Sequence, residues 1–306
     1  MKKFDVVICG AGPAGLTASI YVARAGFSVA IIEKNACGGQ IAFTSSIDNY
    51  PAFTTISGME LGEKMMQHAQ SFGVEIIYDE ITEIELNSAT KVVSTAYSGK
   101  IESSVIIIAF GASPRKMDLS NEDKYVGKGV SYCATCDGAF YKNKNVAVVG
   151  GGNTAVEDAI YLTNFAKKVY IIHRREQFRA SKMLVEKLAT SGIQTILDSI
   201  VTEIGGEPKL TFANVQNVKT KNITKLELDG LFVAVGQLPQ SSLLKDKIAL
   251  NDAGYVIVDN KMQTNVAGVF SCGDVNDKVL RQVVTACGDG AVAGEMASMY
   301  LNLNKA

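Results

Sequence analysis

Phe4-Asp5-Val6-Val7-Ile8-Cys9-Gly10-Ala11-Gly12-Pro13-Ala14-Gly15 is an apolar run of strand length that stops at a glycine turn. Residues 14–25 then read as a helix and residues 28–32 as a second strand, which makes a βαβ unit. The pattern returns in Asn145-Val146-Ala147-Val148-Val149-Gly150-Gly151-Gly152-Asn153-Thr154-Ala155, with a helix predicted over 154–165 and a strand over 169–172. From Gly10 to Gly150 the offset is 140 residues, a domain-sized duplication rather than a solenoid period.

Outward from these units, residues 75–97 alternate as antiparallel strands do. A buried strand over 105–109 closes on Gly111, and a matching one over 231–235 closes on Gly236. An Ala-rich helix is predicted over 288–303. The 306 residues suit two domains, and 47% apolar against 20% charged residues exclude a disordered chain. A net charge of −1 offers no basic excess for a phosphate backbone, so no nucleic-acid partner is expected. Two histidines, His68 and His173, leave little for multi-His metal sites or a His-based triad. Arg24 is the only charge between Val6 and Ile32, yet glycines and Pro13 interrupt that stretch. It is read as strand, turn and helix rather than an export signal or a membrane span. A cytoplasmic chain with mostly reduced cysteines follows. The fold class is α/β, with two Rossmann-like dinucleotide-binding domains. The joints are placed near 113–117 and 241–244.

The first motif, Gly10-x-Gly12-x-x-Gly15 with Pro13 and Ala14 inside it, gives a tight turn, close backbone approach to a pyrophosphate, and helix-on-strand packing. The helix N-terminus adds amide donors and a favourable dipole. Glu33, 23 residues after Gly10, is placed to accept from ribose hydroxyls, unless it is a plain surface acid at a strand end. The second motif is the Ala variant, Gly150-x-Gly152-Asn153-Thr154-Ala155. Counting 23 residues from Gly150 reaches His173-Arg174-Arg175, with Arg179 four further on. Arginines pair with a ribose 2′-phosphate that a carboxylate would repel, so this site is read as NADPH-binding. The bland alternative is a solvated basic face. Two nucleotides in one chain suggest hydride passing between them.

Cys133-Ala134-Thr135-Cys136-Asp137 lies just upstream of the second motif. Such spacing at a helix start suits a reversible disulfide, because the dipole lowers a thiol pKa. Half a zinc site or two packed thiols are the competing readings, and zinc lacks further ligands. Asp137 can shuttle a proton during thiol–disulfide exchange or act in the first helical turn. Cys9, Cys37, Cys272 and Cys287 are read as packing residues.

Together, the Gly-rich motif at 10–15, Cys-Ala-Thr-Cys-Asp-Gly at 133–138, Gly-Gly-Gly-Asn-Thr-Ala at 150–155 and His-Arg-Arg at 173–175 resemble low-molecular-weight thioredoxin reductases over essentially the whole chain. The resemblance implies FAD in a discontinuous domain (1–113 and 243–306), NADPH in the inserted domain (117–241), and a homodimer. It matches Gly10, Gly12, Gly15 and Glu33 to the FAD motif, Gly38-Gly39-Gln40 to a flavin-side loop, and Asn49 to a site before a proline. It matches residues 268–274 to a second FAD signature. Asp274 after Gly273 would bind the ribityl chain, and Arg281-Gln282-Val283 would line the flavin. Gly111 joins the cofactor set. The family also implies that Cys136 faces the flavin, that Cys133 attacks the disulfide of thioredoxin, and that Asp137 is the acid. In that family the inserted domain rotates to bring nicotinamide and disulfide to the flavin in turn.

Three positions depart from the family pattern: Phe110 replaces a usual Thr, Ala52 a Gly, and Cys272 an Ala. A related reductase fed by ferredoxin is the nearest rival, but it should lack the second glycine motif and the arginines. A flavin-binding redox sensor would need no poised Cys-x-x-Cys, and a zinc-stabilised binding module is the weakest reading.

Overall fold

In the computed structural model, which describes residues 2–44, 47–86 and 88–304, the opening apolar run is strand β1 (Lys2–Cys9). Val6, Val7, Ile8 and Cys9 are fully buried, as a parallel strand covered on both faces must be. There follow α1 (Pro13–Arg24), β2 (Val29–Glu33), α2 (Gly58–Ser71), β3 (Glu75–Tyr78), β4 (Ile81–Glu85), β5 (Lys91–Thr95), β6 (Lys100–Ile108) and β7 (Ala112–Pro114). Next come α3 (Glu122–Tyr125), β8 (Val130–Ser131), α4 (Ala134–Asp137), β9 (Asn145–Val149), α5 (Asn153–Leu162), β10 (Lys168–Ile172), α6 (Lys182–Ala189) and β11 (Gln194–Ile196). Then β12 (Ser199–Gly205), β13 (Phe212–Asn217), β14 (Ile223–Glu227), β15 (Gly230–Val233), β16 (Gln237–Pro239), β17 (Val269–Ser271) and α7 (Val283–Leu303) complete the chain.

Two compact units result: Met1–Ser113 with Leu238–Ala306, and Pro114–Gln237. In the first, the sheet runs β3-β2-β1-β6-β5-β4, with β17 also on β6. Strand β6 is long enough to serve two purposes. Its first half pairs antiparallel with β5, and Ile106–Ile108 pair parallel with β17. Val6 and Ile8 face a core shared with α1 and α7, whereas Val7 and Cys9 face Ile84, Val93 and Leu244. This is the two-residue period of a strand buried on both sides. Helix α7 lies on α1 through glycine. A β-carbon on Gly290 would run into the Ala14 carbonyl, and one on Gly294 would lie 2.6 Å from the Ala18 oxygen.

In the second unit the parallel sheet is β11-β10-β9-β15-β8, accompanied by the antiparallel β12-β13-β14. Helix α7 begins five residues earlier than the sequence reading, at Val283 rather than Gly288. A capping box starts it there, formed by the side chains of Gln282 and Thr285. The chain returns to the first unit at Leu238, upstream of the expected joint at 241–244. There the Gln240 amide donates to the Gly111 carbonyl at 3.0 Å, and Leu244 is fully buried in the first unit's core. Among the described residues, no helix is long and apolar enough to cross a membrane.

Candidate redox centre and nucleotide sites

At the first glycine motif, Gly10 has φ +112°, and a β-carbon there would sit 2.5 Å from the Ala109 carbonyl. Only glycine fits that turn. Gly15 is pressed against the Gly10 carbonyl, whereas a β-carbon on Gly12 would meet open space. No side chain caps α1, so its first amides remain available to an anion. Both oxygens of Glu33 are anchored: one accepts the Ala11 amide at 2.8 Å and the other the Asn35 amide at 2.8 Å. Each oxygen keeps a lone pair for a hydroxyl donor.

Residues distant in sequence converge on the start of α1. Gly39 lies over Gly12, where its β-carbon would be 3.2 Å from the Gly12 Cα, and Gln40 beside it is exposed. Gly273, at φ +80°, lies against Ala14. Cys287 Sγ is 4.0 Å from the Pro13 carbonyl and 3.9 Å from the Tyr50 hydroxyl. Burial, then the neighbouring Cys287, pushes the Tyr50 phenol up to about 12. Asn49 donates to Gln282 Oε1 at 3.0 Å across 233 residues, and Val283 packs on the cluster of Ile47, Ile56 and Leu61. Arg281 lies 4.4 Å over the Tyr255 ring, and its NH2 group donates to the Asn276 carbonyl.

The Asp274 carboxylate shows that this site suits a polar ligand. Its Oδ1 is buried without a hydrogen-bond partner among the described residues. Burial pushes its carboxyl up, against the pull of Lys278 and Arg281. An unpartnered buried oxygen is costly unless something supplies a donor, and a ligand hydroxyl would do so. Lys278 and Asp289 were not singled out in the sequence. They form a half-buried ion pair at 2.6 Å, and Asp289 also accepts the Gly273 amide at 3.1 Å, which fixes the Asp274 turn to α7. Phe110 packs with the core on the β1 face that holds Val7, and Cys272 is fully buried with its thiol pushed up by burial.

In the second unit, Gly150 stands at φ +155° against the Ala234 carbonyl, and a β-carbon on Gly152 would again meet open space. No side chain caps α5. Asn153 Oδ1 accepts the Ser181 amide at 2.9 Å, and the Arg179 amide donates to the Gly151 carbonyl at 2.7 Å. These bonds tie the loop after β10 to the start of α5, where Thr154 is exposed. Arg174, Arg175 and Arg179 are exposed there, and among the described residues none makes an ion pair. His173 instead turns its ring inward, against Gly151 and stacked on Phe178 at 5.4 Å. Burial holds its imidazole below the ordinary range. The three arginines add to this, and a bond from the ring to the Gln177 backbone opposes it. The ring thus lies between the glycine turn and Phe178, while the arginines present the charge.

Cys133 and Cys136 form a disulfide at the start of α4. Cys133 is the N-cap, and its sulfur accepts the Cys136 amide at 3.2 Å. The Thr135 hydroxyl is 3.4 Å from the same sulfur. Asp137, in the same turn, accepts the Ser131 hydroxyl at 2.6 Å. Among the described residues no cluster of His, Cys, Asp or Glu can hold a metal ion. The arrangement is a half-buried disulfide with an adjacent carboxyl, in a unit that also carries a nucleotide motif.

The chain matches the family model of pyridine nucleotide-disulphide oxidoreductases over residues 4–290. It belongs to that family. As a pyridine nucleotide-disulphide oxidoreductase it is an enzyme working with a flavin and a nicotinamide nucleotide, and its Cys133–Cys136 disulfide fits a redox disulfide. It is 43% identical over 305 residues to the 34.2 kDa protein in the rubredoxin operon of Clostridium pasteurianum, covering 98% of both chains. It is 42% identical to the thioredoxin reductase of Listeria monocytogenes, covering 98% of this chain and 94% of that one. The crystal structure of thioredoxin reductase from Streptococcus pyogenes superposes with a TM-score of 0.92 at 44% identity. That match covers 98% of this chain and 99% of the other.

Proposed function

We propose that the chain is an NADPH-dependent FAD flavoprotein that reduces thioredoxin through Cys133 and Cys136. The observation that carries this reading is the disulfide capping a helix beside a carboxyl, within the unit that bears the second glycine motif. The first unit, which contains Gly10, Gly12, Gly15, Glu33, Gly39, Asn49, Gly111, Asp274 and the 281–283 turn, would hold FAD. Uncapped α1 amides and the unpartnered Asp274 oxygen support that assignment. The second unit would hold NADPH, with Arg174, Arg175 and Arg179 on its 2′-phosphate. When bound, the flavin supplies a two-electron relay between nicotinamide and disulfide.

The chain's own residues then carry out the exchange. Cys133, at the start of α4 and next to Thr135, attacks the partner's disulfide as its thiolate. Cys136 closes the disulfide again. Asp137 gives and takes the proton that each thiol requires. A cytoplasmic homodimer belongs to the same reading. Val279, Leu280 and Val284 are exposed apolar side chains that a second copy would cover.

The test is stoichiometric. Purified holoprotein with NADPH and a bacterial thioredoxin should form two thioredoxin thiols per NADPH consumed, and Cys133→Ser should form none. NADPH oxidation without thioredoxin thiols would mean a different acceptor.

A further inference from the structure

Ser131 ends the short strand β8, paired with Phe232 of β15, and is almost completely buried. Its hydroxyl has three partners around the redox turn. It accepts the Cys133 amide at 3.1 Å, donates to Asp137 Oδ2 at 2.6 Å, and lies 3.3 Å from the Cys133 carbonyl. The amide contact is fixed, because a backbone N–H can only donate. The hydroxyl proton therefore has two acceptors to choose between, the Asp137 carboxylate and the Cys133 carbonyl.

We propose that Ser131 is a positioning residue that lets Asp137 change protonation state without moving. With Asp137 ionised, the serine hydroxyl donates to Oδ2. With Asp137 protonated, the acid O–H donates to the serine oxygen, and the serine proton turns to the Cys133 carbonyl. The serine hydroxyl, the Cys133 amide, the Cys133 carbonyl and the carboxyl oxygen that faces the serine each keep a partner in both states, so neither state carries the cost of an unpaired group there.

This rests on the reading above that Asp137 is the proton donor in exchange. In that step the Cys133 thiolate attacks one sulfur of the partner's disulfide. The partner's S–S bond breaks, a Cys133–partner S–S bond forms, and the electron pair leaves on the departing partner sulfur. Protonated Asp137 gives that sulfur its proton and becomes a carboxylate. Other ionisable groups lie on the segments next to the redox turn. They are the two thiols, Tyr141 in the following turn, and Glu157, Asp158 and Tyr161 on α5, which packs on α4. Asp137 and Tyr141 feel each other's charge. All of them persist in each Ser131 variant, so a displacement found only there reports on the serine.

The experiment compares the pH profile of thioredoxin reduction in wild-type holoenzyme with Asp137→Asn, Ser131→Ala and Ser131→Thr. Ser131→Gly serves if the alanine variant does not fold. Asp137→Asn should remove one limb of the profile. Ser131→Ala or Ser131→Gly should lower the plateau rate about tenfold. It should also move that same limb to higher pH, because the charged carboxylate loses the stronger of the two alternative bonds. Ser131→Thr, which keeps the hydroxyl, should restore the wild-type position. A uniform loss of rate with the limb unmoved would show that the serine acts only on folding and would overturn the proposal. A limb untouched by Asp137→Asn would instead overturn the assignment of Asp137, and the role of Ser131 with it.

Discussion

Ala52 occupies the third place of the turn Tyr50-Pro51-Ala52-Phe53, closed by the Phe53 amide on the Tyr50 carbonyl, and takes φ +85° there. Proline second and a positive φ third is the pattern that favours glycine at the third position. Ala52 thus holds a backbone conformation that glycine adopts without strain. Ala52→Gly should raise stability by about 1 kcal/mol, seen as a higher urea midpoint, since the β-carbon is strained in the left-handed region. An unchanged or lower midpoint would mean that the turn relaxes in solution. At the second site, charge is carried by single residues. Arg174→Ala combined with Arg175→Ala should raise KM for NADPH at least tenfold and alter that for NADH little, because only NADPH has the 2′-phosphate. Equal losses for both cofactors would count against the assignment.

Helix α5 carries two duties at opposite ends. Its uncapped start faces the Gly150–Gly152 turn, while its body packs on the redox helix α4. In that body Asp158 is half-buried, and among the described residues it makes no ion pair. Burial first, and Glu157 second, push its carboxyl from the ordinary 3.8 up to about 7. The folded state therefore holds this proton where the unfolded chain has lost it. Between about pH 4 and about pH 7 the folded protein binds more protons at this site, so its stability falls as pH rises. Asp158→Asn should remove that part of the fall. Relative to wild type the variant should gain stability at pH 8 and little at pH 4.5, by urea unfolding at each pH. The same gain at both would assign the effect to packing instead.

For the whole molecule, what the sequence disclosed and what it hid divide along physical lines. Gly10, Gly15 and Gly150 were legible because no other residue fits those turns, and the apolar strands around them fix where the turns fall. The Cys-x-x-Cys was legible because its spacing is local. Ser131, Lys278 and Asp289 were not, because each acts through contacts that folding creates. The start of α7 was obscured by the β-branched run Val283-Val284-Thr285, which is a poor helix opener by propensity and is folded into the helix by the capping box of Gln282 and Thr285. His173 is grouped with the arginines by its spacing and by the His-Arg-Arg motif, and its inward ring depends on Gly151 having no side chain.

The two units share one chain and, on the proposed function, one electron path. Its most direct test is anaerobic addition of NADPH to the purified holoprotein, then of oxidised thioredoxin, following flavin absorbance. The flavin should bleach with NADPH and recover with thioredoxin, and recovery should be lost in Cys133→Ser. A flavin that NADPH leaves unbleached would contradict the account, as would one that bleaches but never recovers.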